Sequence, residues 1–90
     1  MLLSLKFRVK GMVQGVGYRY ATKNMAGRLD LTGWVRNCTN GDVEGFVCGE
    51  KIKVEDFVNW LWQGPQYAKV DSVATEKATR TPCKSFKIMF

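Results

Sequence analysis

Three observations predict an α+β fold, a split β-α-β sandwich of the ferredoxin-like kind. Residues 3–10 alternate apolar and polar side chains. Residues 18–29 and 53–63 carry apolar side chains at helical spacing. An Asn-Gly pair at 40–41 separates two further strand-like runs over 32–38 and 43–48. With strands also read over 70–78 and 84–90, the order is β-α-β-β-α-β with a short final strand. That order (βαββαβ) places two helices on one face of an antiparallel sheet. A chain of 90 residues, 46% of them apolar, suffices for one modest core, so residues 1–90 are read as a single domain.

In the first strand Leu3, Leu5, Phe7 and Val9 face one way, while Ser4, Lys6, Arg8 and Lys10 form the solvent face. The first helix presents Tyr18, Ala21, Met25 and Leu29 as a stripe with Ala26 beside it. Gly27 within that helix costs about 1 kcal/mol against alanine. The hairpin around Asn40-Gly41 has two possible registers. A two-residue turn sets Val35 opposite Phe46, whereas a bulge at Gly41 gathers Val35 and Asn37 on one face with Val43 and Val47. The second register is expected, because it buries the valines together. Val54, Phe57, Val58 and Leu61 define the second helix, which Gly64-Pro65 ends. Thr79-Arg80-Thr81-Pro82 reads as a loop, and Trp34, Trp60 and Trp62 are expected to pack rather than to serve as substrate platforms.

The formal net charge of +6 favours an anionic partner without choosing among nucleic acid, anionic lipid and a small phosphate ester. Lys6 ends the short apolar run from Met1, well short of a signal segment, and no stretch is long enough to span a membrane, so a cytoplasmic location is expected. Cys38, Cys48 and Cys83 are expected to be free thiols. The first two sit on opposite arms of the hairpin about five rungs apart, on the order of 15 Å, where a disulfide needs Cα atoms within about 7 Å. The chain has no histidine and no Cys-x-x-Cys, which argues against zinc.

The segment Val9–Arg19 carries the chemistry. Gly11, Gly15 and Gly17 lie between a strand and a helix, and Arg19 closes the loop. Bare N–H groups at a helix start form a concavity for an anion, and an arginine there adds a fork that matches two phosphate oxygens. Several phosphoryl chemistries are excluded. No cysteine begins a Cys-x5-Arg loop, the absence of histidine removes phosphohistidine and Ser-His-Asp mechanisms, no acidic pair has metal-phosphatase spacing, and there is no P-loop. What remains is a phosphate cradle without a protein nucleophile. It suffices for hydrolysis when the leaving group is good, because loose phosphoryl transfer needs mainly positioning and charge stabilisation.

Two motifs then resemble the acylphosphatase family over essentially the whole chain. One is Val9-x-Gly11-x-Val13-Gln14-Gly15-Val16-x-Tyr18-Arg19. The other is Gly33-Trp34-Val35-Arg36-Asn37 followed by Gly41-x-Val43 and Gly49. Gly64-Pro65 and Phe86-Lys87-Ile88 are similar to the family as well. The resemblance implies hydrolysis of the carboxyl–phosphate bond of acyl phosphates. It implies that Arg19 and the 13–19 loop, with Gln14, Gly15, Val16, Gly17 and Tyr18, bind the phosphoryl group, and that Asn37 orients the attacking water. It implies no cofactor and no metal, inorganic phosphate as product and inhibitor, and no nucleic-acid or membrane partner; a monomer is expected. Asp30 stands where the family usually has glycine, which strains a left-handed cap. Tyr18 stands where phenylalanine is common, so its hydroxyl needs a partner. Two rival readings are a non-catalytic phosphate-sensing domain and a basic nucleic-acid-binding module. The latter lacks the paired aromatics of an RNA-recognition motif, since Glu44-Gly45-Phe46-Val47-Cys48 supplies one ring and no basic start.

Overall fold

The computed structural model describes residues 1–79 and 84–90. Most of the expected 79–82 loop, and Cys83, lie outside the described residues. Seven elements follow in order: β1 (Leu2–Met12), α1 (Tyr18–Arg28), β2 (Thr32–Asn37), β3 (Val43–Glu50), α2 (Lys51–Gln63), β4 (Lys69–Lys77) and β5 (Phe86–Met89). They build one sheet in the order β4-β1-β3-β2-β5, covered on one face by both helices. This is the α+β ferredoxin-like arrangement that the element order predicts.

The sheet is mixed rather than purely antiparallel. β1 pairs antiparallel with β3 and β4, and β2 with β3, but β5 runs parallel to β2. The directions require it. β4 points opposite to β2, so a strand that reverses after β4 and adds beside β2 runs the same way as β2. β5 occupies four residues within the 84–90 run read as the short final strand.

The core lies between sheet and helices. Phe7 and Val9 of β1, Val35 of β2, and Val43 and Val47 of β3 meet Val54, Phe57 and Leu61 of α2 and Tyr18 and Ala26 of α1. Phe57 packs edge-on to Phe7 with ring centroids 5.5 Å apart. Truncating such a ring costs about 3–5 kcal/mol. In the hairpin Val35 lies opposite Gly45 and Asn37 opposite Val43, the register that gathers the valines on the helix-covered face. Gly41 takes φ 98°, and Cys38 N–H donates to the Asp42 carbonyl at 2.8 Å to close the turn.

The buried line of α1 departs from the expected stripe. It is Tyr18, Thr22 and Ala26, with Met25 and Leu29 half-buried at its margin. Thr22 enters the core because its hydroxyl donates to the Tyr18 carbonyl one turn back at 2.7 Å, which satisfies it locally. Asp30 does take a left-handed φ of 55° after the helix. The tryptophans separate. Trp60 packs half-buried against Tyr18, Trp34 lies on the open sheet face beneath the Arg36 guanidinium, and Trp62 is exposed, so the packing expected of it is not made.

Candidate active site

The site is assembled where β1 gives way to α1. Gly15 and Gly17 both adopt φ 76°, and Gly17 is the left-handed residue that caps the helix. An added Cβ would meet nothing within 4 Å at either position, so backbone conformation rather than crowding calls for glycine there. Among the described residues no protein acceptor takes the N–H groups of residues 14–20; the first to be used is Ala21 N–H, which donates to the Gly17 carbonyl at 3.0 Å. Uncommitted N–H groups at a helix start, with the dipole behind them, are an arrangement able to hold an anion.

Arg19 stands in the first turn of α1. Its Nη1 donates to the Met89 carbonyl at 3.3 Å, and its Cζ lies 4.9 Å from the centre of the Phe90 ring. Met89 is the parallel-register partner of Arg36, the residue before Asn37. Arg19 is thus braced against the end of β5, next to the end of β2.

Asn37 is the last residue of β2. Its Oδ1 is buried and has no hydrogen-bond partner among the described residues. An orphaned buried acceptor costs about 1–3 kcal/mol, so it marks a place where a water or ligand is expected to bind. A surface depression lined by Arg36, Asn37, Cys38, Thr39, Asn40 and Phe90 opens there. The glycine loop and this turn are joined directly, because Gln14 Nε2 donates to both the Cys38 and Asp42 carbonyls at 2.8 Å.

Behind the turn stands an ion network that residue pattern alone did not disclose. Arg8, expected on a plain solvent face, donates to Asp42 Oδ2 at 3.1 Å and to Glu44 Oε1 at 2.6 Å. Arg36 Nε donates to Glu44 Oε2 at 2.6 Å. The strand register explains this, because Glu44 lies opposite both Arg8 and Arg36. Hydrogen bonds to Asp42 and Glu44 raise the Arg8 pKa, while Arg36 first and then Arg8 hold the Glu44 carboxyl below its ordinary value. Asp42 is buried, and its backbone N–H donates to Asn40 Oδ1 at 3.1 Å in an Asx turn. The Asn40-x-Asp42 spacing is the signal that could have pointed to it. Burial and the Glu44 charge push the Cys38 thiol above its usual range, which leaves it protonated at neutral pH and unsuited to nucleophilic attack. Cys38 and Cys48 both carry free thiols.

A model of the acylphosphatase family matches residues 5–88. The chain belongs to the acylphosphatase family. An acylphosphatase of Vibrio parahaemolyticus is 48% identical over 84 residues, 93% of each chain. The solved acylphosphatase of Coxiella burnetii superposes with a TM-score of 0.95 at 36% identity, covering 98% of this chain and 93% of that one. The Bacillus subtilis acylphosphatase superposes with a TM-score of 0.95 at 31% identity over 100% of both chains. Membership makes the chain a hydrolase of the acylphosphatase kind and supports acyl phosphates as its substrate class.

Proposed function

We propose that the chain hydrolyses acyl phosphates to carboxylate and inorganic phosphate without a metal. The 14–18 backbone N–H groups (Gln14, Gly15, Val16, Gly17 and Tyr18) and the Arg19 guanidinium bind the phosphoryl oxygens. Asn37 holds a water through its side-chain amide. The observation that carries this reading is the buried, unpartnered Asn37 Oδ1 in the turn that Gln14 ties to a loop of uncommitted N–H groups.

The water oxygen attacks phosphorus as the bond from phosphorus to the acyl oxygen breaks. The carboxylate leaves with that electron pair. Asparagine is not a base at neutral pH, so the water's proton passes to a phosphate oxygen of the substrate. A carboxylate is a good leaving group, so no general acid is required. Negative charge on the phosphoryl oxygens is met by Arg19 and by N–H groups already aimed at them.

Asn37→Ala tests the assignment. It is expected to lower kcat by roughly 10²- to 10³-fold, the scale of losing one oriented polar group in a site. Inorganic phosphate should remain a competitive inhibitor of unchanged strength. Loss of phosphate binding in that variant would make Asn37 structural and refute its role toward water. The chain would act as a monomer in the cytoplasm, with no nucleic-acid or membrane partner.

A further inference from the structure

The site as described leaves the Gln14 side chain without a chemical role. An amide nitrogen carries two hydrogens. Gln14 Nε2 directs them to the carbonyls of Cys38 and Asp42, each at 2.8 Å. No hydrogen of that group is left for a phosphoryl oxygen, and its remaining atom, Oε1, is an acceptor that repels an anion. The Gln14 side chain is therefore not a phosphate ligand, although its backbone N–H is free to be one.

The two carbonyls it holds belong to a turn that is closed by its own hydrogen bonds. Cys38 N–H donates to the Asp42 carbonyl and Gly41 N–H to the Cys38 carbonyl, at 2.8 and 3.3 Å. The Asp42 carboxylate is anchored by Arg8 at 3.1 Å and by Asn40 Nδ2 at 3.3 Å. Asn37 immediately precedes this turn. The glycine loop lacks such bracing, because its N–H groups are uncommitted among the described residues.

We propose that Gln14 is a positioning residue, a strut that fixes the distance between the phosphate-binding loop and the Asn37 turn and so aligns the attacking water with the phosphorus. The inference rests on the functional reading above for its kinetic consequence, but not for its structural one. Arg8 belongs to the same device, because it holds Asp42, one of the two acceptors.

The test is Gln14→Met, which keeps side-chain length and removes both donors. Gln14 is exposed, so the core is untouched. With benzoyl phosphate, kcat is expected to fall roughly 10- to 100-fold, the effect of misplacing a reacting group by about an ångström. The inhibition constant of inorganic phosphate should stay within about twofold. A second readout needs no turnover. Phosphate titrated into the wild-type protein should shift the backbone amide resonances of residues 14–20 and also of 38–42, and in Gln14→Met only those of 14–20. A kcat within about twofold of wild type, or phosphate affinity lost as steeply as kcat, overturns the proposal. So does a phosphate response that still reaches 38–42 in the variant. If the wild-type protein fails to turn over benzoyl phosphate, the functional reading falls and the titration alone decides the strut.

Discussion

At the residue scale, single polar atoms decide what the site and its supports can do. Tyr18 illustrates this most simply. Its hydroxyl is buried, yet it donates to the Leu61 carbonyl at 2.7 Å. In a continuing helix that carbonyl would receive the N–H of residue 65, but residue 65 is proline and has none. Burial pushes the Tyr18 phenol well above its usual range, which keeps it a donor. Tyr18→Phe should therefore cost about 1 kcal/mol in urea unfolding, with kcat unchanged. A neutral result would mean that water caps Leu61 instead. The same scale marks where the sequence was mute. Alternation placed Arg8 correctly on the open face, but its carboxylate partners depend on strand register. The bonds of Gln14 likewise join residues 24 and 28 positions apart, which no local pattern encodes.

At the element scale, the hairpin and the helix ends were the most legible features, because their signals are local. Burying valines on one side selects the register that sets Asn37 opposite Val43, and a glycine with positive φ closes the turn. The end of α1 is the strained exception. Asp30 sits at φ 55°, and its offsetting contact is an exposed ion pair with Lys53 at 3.4 Å, worth little in water. Asp30→Gly should stabilise the protein by about 0.5–1 kcal/mol, seen as a higher melting temperature at unchanged activity. A lower melting temperature would show that the Lys53 pair outweighs the backbone strain. Thr22 escaped the pattern of α1 because hydropathy scores threonine as polar, whereas a helix can satisfy its hydroxyl internally.

At the scale of the whole molecule, the fold carries one loop and one turn to the same corner. β1 delivers the glycine loop, β2 delivers Asn37, and β5, parallel to β2, supplies the carbonyl against which Arg19 rests. The parallel pairing was not legible, since alternation within a strand says nothing about the direction of its neighbour. The ion network on the open face links β1, β2 and β3, and through Glu44 it contributes to how stability responds to acid. A carboxyl whose native pKa is lowered adds stability that is fully present above its ordinary value, 4.5 for Glu44, and is lost as pH falls through the native value. Glu44→Gln should thus lower the melting temperature at pH 7, and the gap from wild type should close in strongly acid solution. A gap that persists there would remove Glu44 from the acid response. The central claim is that Arg19 and backbone N–H groups meet the phosphoryl charge without a metal, while Asn37 holds the attacking water. It is tested most directly by hydrolysis of benzoyl phosphate in the presence of EDTA, wild type beside Arg19→Ala. The account predicts full wild-type turnover in the chelator and a loss of roughly 10³-fold or more in the variant, the scale of an arginine that meets phosphoryl charge. Inhibition by EDTA, or an active Arg19→Ala, would contradict it.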